Sequence, residues 1–340
     1  MPAYFLSDLV CASEAVSNRG MRRPRSGIPS NELMTSGVIE GSSSTSHLRV
    51  MDPQTKCVRI DGASLMYTEA GPPNAEAVVL LHGYLGNRHA WRHHLPRLAV
   101  TYRTIALDWF GWGGSGLAPS MDCRYESEVD RLRRVLDAVG VDRCTLVGHD
   151  YGGFLALGFT QEHPRRVARL ALANTRAHRT FVPRWRAVFG LMSLLGRTQA
   201  GRTSCGLLPL ARMHRRAVRR ELSRGIFDES VLRSYAAPFD DRRARDAVLR
   251  FMGDYRVAPR TRLARGLAAI RCPVTVVWGA SDAWLPPEIA DDLARRIPDA
   301  RLEVFEDAGH FVVEERPAEV WKALSDLLLR EESHACREAT

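Results

Sequence analysis

Val147-Gly148-His149-Asp150-Tyr151-Gly152-Gly153 is the stretch on which the reading of this chain turns. It follows an apolar run, Cys144–Val147, and opens a helical pattern near Phe154. Gly148-x-Asp150-x-Gly152 has the spacing of a nucleophile elbow, a strained strand-to-helix turn that aims its central side chain out of a sheet. Small residues two before and two after let strand and helix pass closely. An ordinary glycine-rich turn shares that spacing, so the rest of the chain must decide.

Working outward, Cys57–Ile60 and Leu65–Thr68 flank Asp61-Gly62, a hairpin signal. Short apolar runs then alternate with helical patterns: Ala77–Leu81, Thr104–Leu107, Val167–Leu172, Val274–Trp278 and Leu302–Phe305 against Tyr125–Val139 and Glu319–Leu329. Continuously apolar strands suit a parallel sheet covered on both faces. The class is α/β, a mostly parallel, doubly wound sheet with a core over 51–175 and 266–332. Between 176 and 265 no strand-like run occurs, only arginine-rich helical sequence with apolar anchors. An insertion that late in the sheet sits over the carboxyl ends of the strands, where ligands bind, and reads as a helical cap. Residues 1–50 are rich in Ser, Gly, Asn and Arg without apolar period, and read as a disordered tail.

Of the 340 residues, 45% are hydrophobic and 26% charged, with a net charge of +9. Most of the excess is arginine within 176–265, beside acids such as Asp228, Asp240 and Asp246. Without a nucleic-acid motif, that run reads as a solvated helical face with many ion pairs, and neither nucleic acid nor membrane is expected as partner. No apolar run approaches the ~18 residues of a membrane helix. The seven cysteines are scattered and never C-x-x-C, which argues against a disulfide framework or zinc site and for a reducing, cytoplasmic setting. No motif implies a metal or cofactor, and the oligomeric state stays open.

Two further motifs decide the matter. Gly279-Ala280-Ser281-Asp282 follows the run Val274–Trp278, and Ala308-Gly309-His310-Phe311 follows Leu302–Phe305. Nucleophile, acid and histidine, each just past a strand and in that order, give Asp150, Asp282 and His310 as the candidate catalytic residues. Together with His82-Gly83-Tyr84 after Ala77–Leu81 and Asp108–Gly116 after the next run, they resemble the α/β-hydrolase superfamily over residues 57 to 330. That resemblance implies an oxyanion hole from the backbone N–H groups of Tyr84 and Tyr151.

An aspartate at the elbow selects the chemistry. Asp150 is ionised near neutral pH and needs no base for its attack. Toward an amide or ester it would be expelled again, but it can displace a halide or an epoxide oxygen at saturated carbon. His310, oriented by Asp282, then activates water against the alkyl-enzyme ester. Haloalkane dehalogenases and epoxide hydrolases work in this way. The segment Tyr235–Phe251 is more similar to the dehalogenases, whereas Gly253-Asp254-Tyr255-Arg256 is similar to the cap tyrosine of epoxide hydrolases. Trp185 and Tyr255 are the candidates for holding substrate or leaving group. Tyr151 stands where dehalogenases usually have Trp. The expectation is a haloalkane dehalogenase-like enzyme acting on a small apolar substrate with water. The alternatives are an epoxide hydrolase, or a hydrolase-like ligand-binding protein with little turnover.

Overall fold

The computed structural model describes residues 53–331 apart from 85, 178–180, 222–227 and 255–260. The expected tail at 1–50 and Tyr255 lie outside the described residues.

Eight strands form one sheet: β1 Gln54–Ile60, β2 Ala63–Ala70, β3 Ala77–Leu81, β4 Arg103–Leu107, β5 Cys144–His149, β6 Val167–Ala173, β7 Val274–Gly279 and β8 Ala300–Phe305. Their order is β1-β2-β4-β3-β5-β6-β7-β8. The hairpin β1–β2 turns at Asp61 and Gly62, both at positive φ, the geometry of a tight turn that Asp-Gly favours. β2 runs antiparallel to β4, and every later pairing is parallel. The fold is an α/β-hydrolase fold with a mostly parallel sheet flanked by helices. β3, β5 and β7 are buried at every position, as strands covered on both faces must be. β8 departs from the apolar expectation. It has one neighbour in the sheet, and Val304 faces solvent, as an edge strand permits.

Between β6 and β7 the chain is helical, with helices at Pro183–Gly196, Gln199–Cys205, Leu210–Glu221, Glu229–Ala236, Arg242–Asp254 and Thr261–Gly266. The ion pairs expected along its arginines are sparse. Of the nine from Arg184 to Arg220, only Arg202, Arg215 and Arg219 reach a carboxylate among the described residues. The insertion is seated by Tyr235, whose buried hydroxyl donates to Glu314 Oε1 at 2.7 Å, while Arg92 pairs with the other oxygen. Burial pushes Glu314 up to about 7 despite Arg92. Among the described residues, Cys123, Cys144, Cys205 and Cys272 are free and buried.

The helix Tyr151–Glu162 passes close to both β5 and β3. A Cβ on Gly152 would stand 2.2 Å from the Leu81 carbonyl oxygen, and one on Gly148 2.5 Å from Gly153 Cα. By contrast, nothing lies within 4 Å of a Cβ on the helical Gly190. Gly152→Ala is therefore expected to lose at least about 1–3 kcal/mol. Gly190→Ala should gain up to about 1 kcal/mol from helix propensity. Denaturant midpoints of the two variants check this contrast.

Candidate active site

Asp150 occupies the turn between β5 and the helix Tyr151–Glu162 with φ 45° and ψ −111°. A non-glycine residue there carries strain of about 1–3 kcal/mol, held in place by its surroundings. The strain has a visible cause. Asp150 N donates to the Ala173 carbonyl at 3.0 Å, and Thr175 Oγ1 donates to the Asp150 carbonyl at 2.5 Å, so β6 grips both sides of the turn. The turn can approach β3 because Gly83 lacks a side chain; a Cβ there would meet Asp150 Cβ at 2.8 Å.

The carboxylate accepts the Tyr84 N–H on Oδ2 at 2.9 Å and is also bonded by the Tyr151 N–H. These are the two backbone donors expected from the sequence. Tyr84 is presented by a short turn that His82 ties down. The His82 Nδ1 bonds the Gly83 carbonyl at 2.8 Å, and the Trp109 N–H donates to Nε2 at 2.9 Å. Burial lowers the His82 pKa, which keeps this acceptor nitrogen neutral.

His310 is fully buried after β8. Its Nδ1 is 2.8 Å from Asp282 Oδ2, and its Nε2 is 3.9 Å from Asp150 Oδ2. The first distance is a hydrogen bond that orients the ring; the second is too long for one. Asp282 spends its other oxygen on the N–H groups of Trp284 (2.7 Å) and Leu285 (3.0 Å). Asp150, Asp282 and His310 thus converge, from three strand ends, on one point.

The two carboxylates are pushed apart electrostatically. Burial raises Asp150, and His310, the Tyr84 and Tyr151 N–H groups and the charge of Arg176 only partly offset it. Burial would also raise Asp282, but His310 and the hydrogen bonds from Leu285 and Asn174 outweigh it and hold the group below the ordinary carboxylate range. Opposed shifts on neighbouring acids mark a division of roles. Asp282 is held toward its anion behind the imidazole, and Asp150 is the more readily protonated of the two acids.

Several contributors escaped the sequence reading. Asn174, at positive φ just after β6, donates to Asp282 Oδ2 at 2.8 Å and accepts the Gly279 N–H at 2.9 Å. Arg176, two residues on and 1% exposed, lies flat over Phe154 with 4.3 Å to the ring centre. His149, driven down to about 3 by burial and by His310, bonds the His310 carbonyl through Nε2 at 2.8 Å. Trp284 stacks on His310 at 4.4 Å, and Trp185 packs against Trp284 at 5.5 Å. The signal for Asn174 and Arg176 was their place just beyond an apolar strand, where ligands gather in this architecture.

Aromatic rings from core and insertion close the site. Tyr84 meets Trp112 and Phe189 edge-on at 5.1 and 5.4 Å, and Tyr151 meets Phe251 at 4.9 Å. Trp185 therefore borders the site one ring removed from His310; the position proposed with it, Tyr255, is outside the described residues.

A sheet of this order with an elbow after β5 and a histidine after β8 defines an α/β hydrolase. Residues 76–317 match the alpha/beta hydrolase fold family, and the chain belongs to it. It is similar to the cis-3-alkyl-4-alkyloxetan-2-one decarboxylase of Xanthomonas campestris pv. campestris, with 30% identity over 279 residues, 75% of this chain and 89% of that protein. It is 37% identical over 115 residues to epoxide hydrolase 3 of Xenopus tropicalis, 33% of this chain and 31% of that one. Among solved structures, a putative ancestral haloalkane dehalogenase superposes with TM-score 0.66 at 24% identity, covering 81% of this chain and all (100%) of the other.

A nucleophilic role for Asp150 would require its anion, and burial raises its pKa, so a reaction begun by that carboxylate should fall off as pH drops through a value above the ordinary carboxylate range. Arg176→Met removes a cation that favours the anion, so that acid limb should move to still higher pH. Single-turnover rates across a pH series measure both, and an unmoved limb in the variant would take Arg176 out of the electrostatics of the site.

Proposed function

We propose that this chain is a hydrolase that displaces a leaving group from saturated carbon with Asp150 and then hydrolyses its own alkyl ester. The observation carrying this reading is a carboxylate at the elbow with the Tyr84 and Tyr151 N–H groups already upon it. An Asp150 oxygen forms the new C–O bond while the bond to the leaving group breaks and that group departs as an anion. The carboxylate becomes an ester beside the same donors. His310 takes a proton from water as the water attacks the ester carbonyl, and the tetrahedral oxyanion is held by N–H groups worth typically about 3–4 kcal/mol each. Collapse releases the alkyl oxygen, which His310 reprotonates to the alcohol. The 3.9 Å gap between Nε2 and Oδ2 suits this order, since the base acts on water rather than on Asp150.

For the leaving group we favour halide, from a small, mostly apolar alkane. The indole N–H groups of Trp284 and Trp185 are buried without an acceptor among the described residues, in rings stacked outward from His310. Such donors suit a large, weakly basic anion, and the aromatic walls suit an alkyl chain.

A strained C–O ring is the second reading. The relatives named for an oxetan-2-one and for an epoxide favour it, and the charge of Arg176 would stabilise the oxygen anion released by ring opening. The Tyr235 hydroxyl, engaged with Glu314, is poorly placed to protonate an epoxide, so that role would fall to Tyr255.

A single turnover in labelled water, with 1-halobutanes, epoxides and a cis-dialkyl oxetan-2-one as alternative substrates, separates these readings. For halides and epoxides, label should enter the Asp150 carboxylate, as read by peptide mass. Asp150→Asn should abolish turnover, and His310→Gln should accumulate the covalent adduct, since only the second step needs a base. Absence of label, adduct and substrate consumption across the whole panel would leave a ligand-binding protein. Tyr235→Phe should lower the melting temperature yet leave turnover within a few-fold; loss of epoxide turnover alone would restore Tyr235 as the acid.

A further inference from the structure

The segment from Pro183 to Arg220 holds nine arginines and no Asp, Glu or Lys, a charge of +9 that equals the net charge of the whole chain. The same segment carries six of the nine exposed large hydrophobic residues among the described ones, including Leu191, Leu194 at 61% exposure and Leu207 at 86%. Exposed apolar side chains gathered on one segment mark a candidate contact surface, and the arginines beside them make it positively charged.

The two features share a surface. On the helix Pro183–Gly196, Arg184, Val188 and Leu191 follow one another at spacings of four and three, a single stripe. On the helix Leu210–Glu221, Met213, Ala217 and Arg220 follow at the same spacings. Arg184, Trp185 and Val188 of the first helix and Arg216, Ala217 and Arg220 of the second line a shared groove of about 280 Å³, with the three arginines as its charged groups and Trp185, Val188 and Ala217 as its apolar floor. None of these three arginines pairs with a carboxylate among the described residues, and no acid lines the groove. Its floor residue Trp185 packs on Trp284, which stacks on His310.

We infer that this face of the helical insertion docks on an anionic lipid surface, with headgroup phosphates in the arginine groove and Leu191 and Leu194, outside it, dipping among the acyl chains. Guanidinium groups bind phosphate through paired N–H donors, and a nucleic acid would use the arginines but leave the leucines exposed. An amphipathic face of this kind lies in the interface rather than crossing it. The arginine run that reads in sequence as an ion-paired, solvated face is thereby reassigned. Docking would bring the catalytic cleft, two rings away, to a reservoir of apolar substrate.

The test uses the full chain and vesicles of phosphatidylcholine, alone or with about a third phosphatidylglycerol, at ~0.1 M salt and again at ~1 M, where screening shortens from ~10 to ~3 Å. Cosedimentation is expected with the anionic vesicles only, and should weaken at high salt. Each arginine near such a surface contributes about fivefold, so Arg184→Gln, Arg216→Gln and Arg220→Gln together should reduce partitioning about a hundredfold. Leu191→Ser with Leu194→Ser should reduce it about tenfold or more. All five positions are at the surface, and the melting temperatures of the variants verify that folding is unchanged. Equal binding to neutral vesicles, or wild-type binding by both variants, would overturn the assignment. So would a self-association that the leucine variant abolishes without any vesicle binding, or a preference for duplex DNA over anionic vesicles at equal salt.

Discussion

The close crossing of β5 over the helix that follows it governs the rest of this molecule. β5 and the helix pass within reach because Gly148 and Gly153 carry no side chains, Gly152 lets the same helix approach the end of β3 at Leu81, and Asp150 in the turn between has positive φ. That conformation lifts the carboxylate from the sheet into the space under the helical insertion. It also brings the group onto the N–H groups of Tyr84 and Tyr151, so one steric constraint sets both the exposure of the acid and its donors.

Around that turn, the carboxyl ends of neighbouring strands supply the remaining parts. β6 is followed by Asn174, Thr175 and Arg176, which respectively bind Asp282, clamp the Asp150 carbonyl and place a cation nearby. The residues after β7 and β8 contribute the anion and the imidazole. Asp150 follows directly on β5, a strand buried at every position, whereas Asp282 and His310 sit in the loops after β7 and β8 and are held there by their hydrogen bonds to one another and to Asn174, Trp284 and Leu285. The environments then differentiate two chemically identical acids, one raised by burial and one held down by its hydrogen bonds.

The insertion between β6 and β7 obeys different rules. It rests on the core through aromatic edges and the buried Tyr235–Glu314–Arg92 cluster, while its outer face keeps arginines and leucines in water. The surface is better understood through what it meets than through what it holds together.

What the sequence by itself determined was local and periodic. Apolar runs marked the strands to within a few residues, Asp61-Gly62 marked the hairpin, and the spacing around Asp150 marked the turn, because each depends on neighbours in the chain. The order of Asp150, Asp282 and His310 was legible for the same reason, each lying just past a strand. Only the tertiary structure decided the roles of Asn174, Arg176, His149 and Trp284, since their partners are brought near by sheet order and leave no spacing to read. It also decided that Tyr235 anchors the insertion and that β8 is a half-exposed edge. Burial and cross-chain proximity are properties of the packed whole, and a residue list carries them only through the fold it produces.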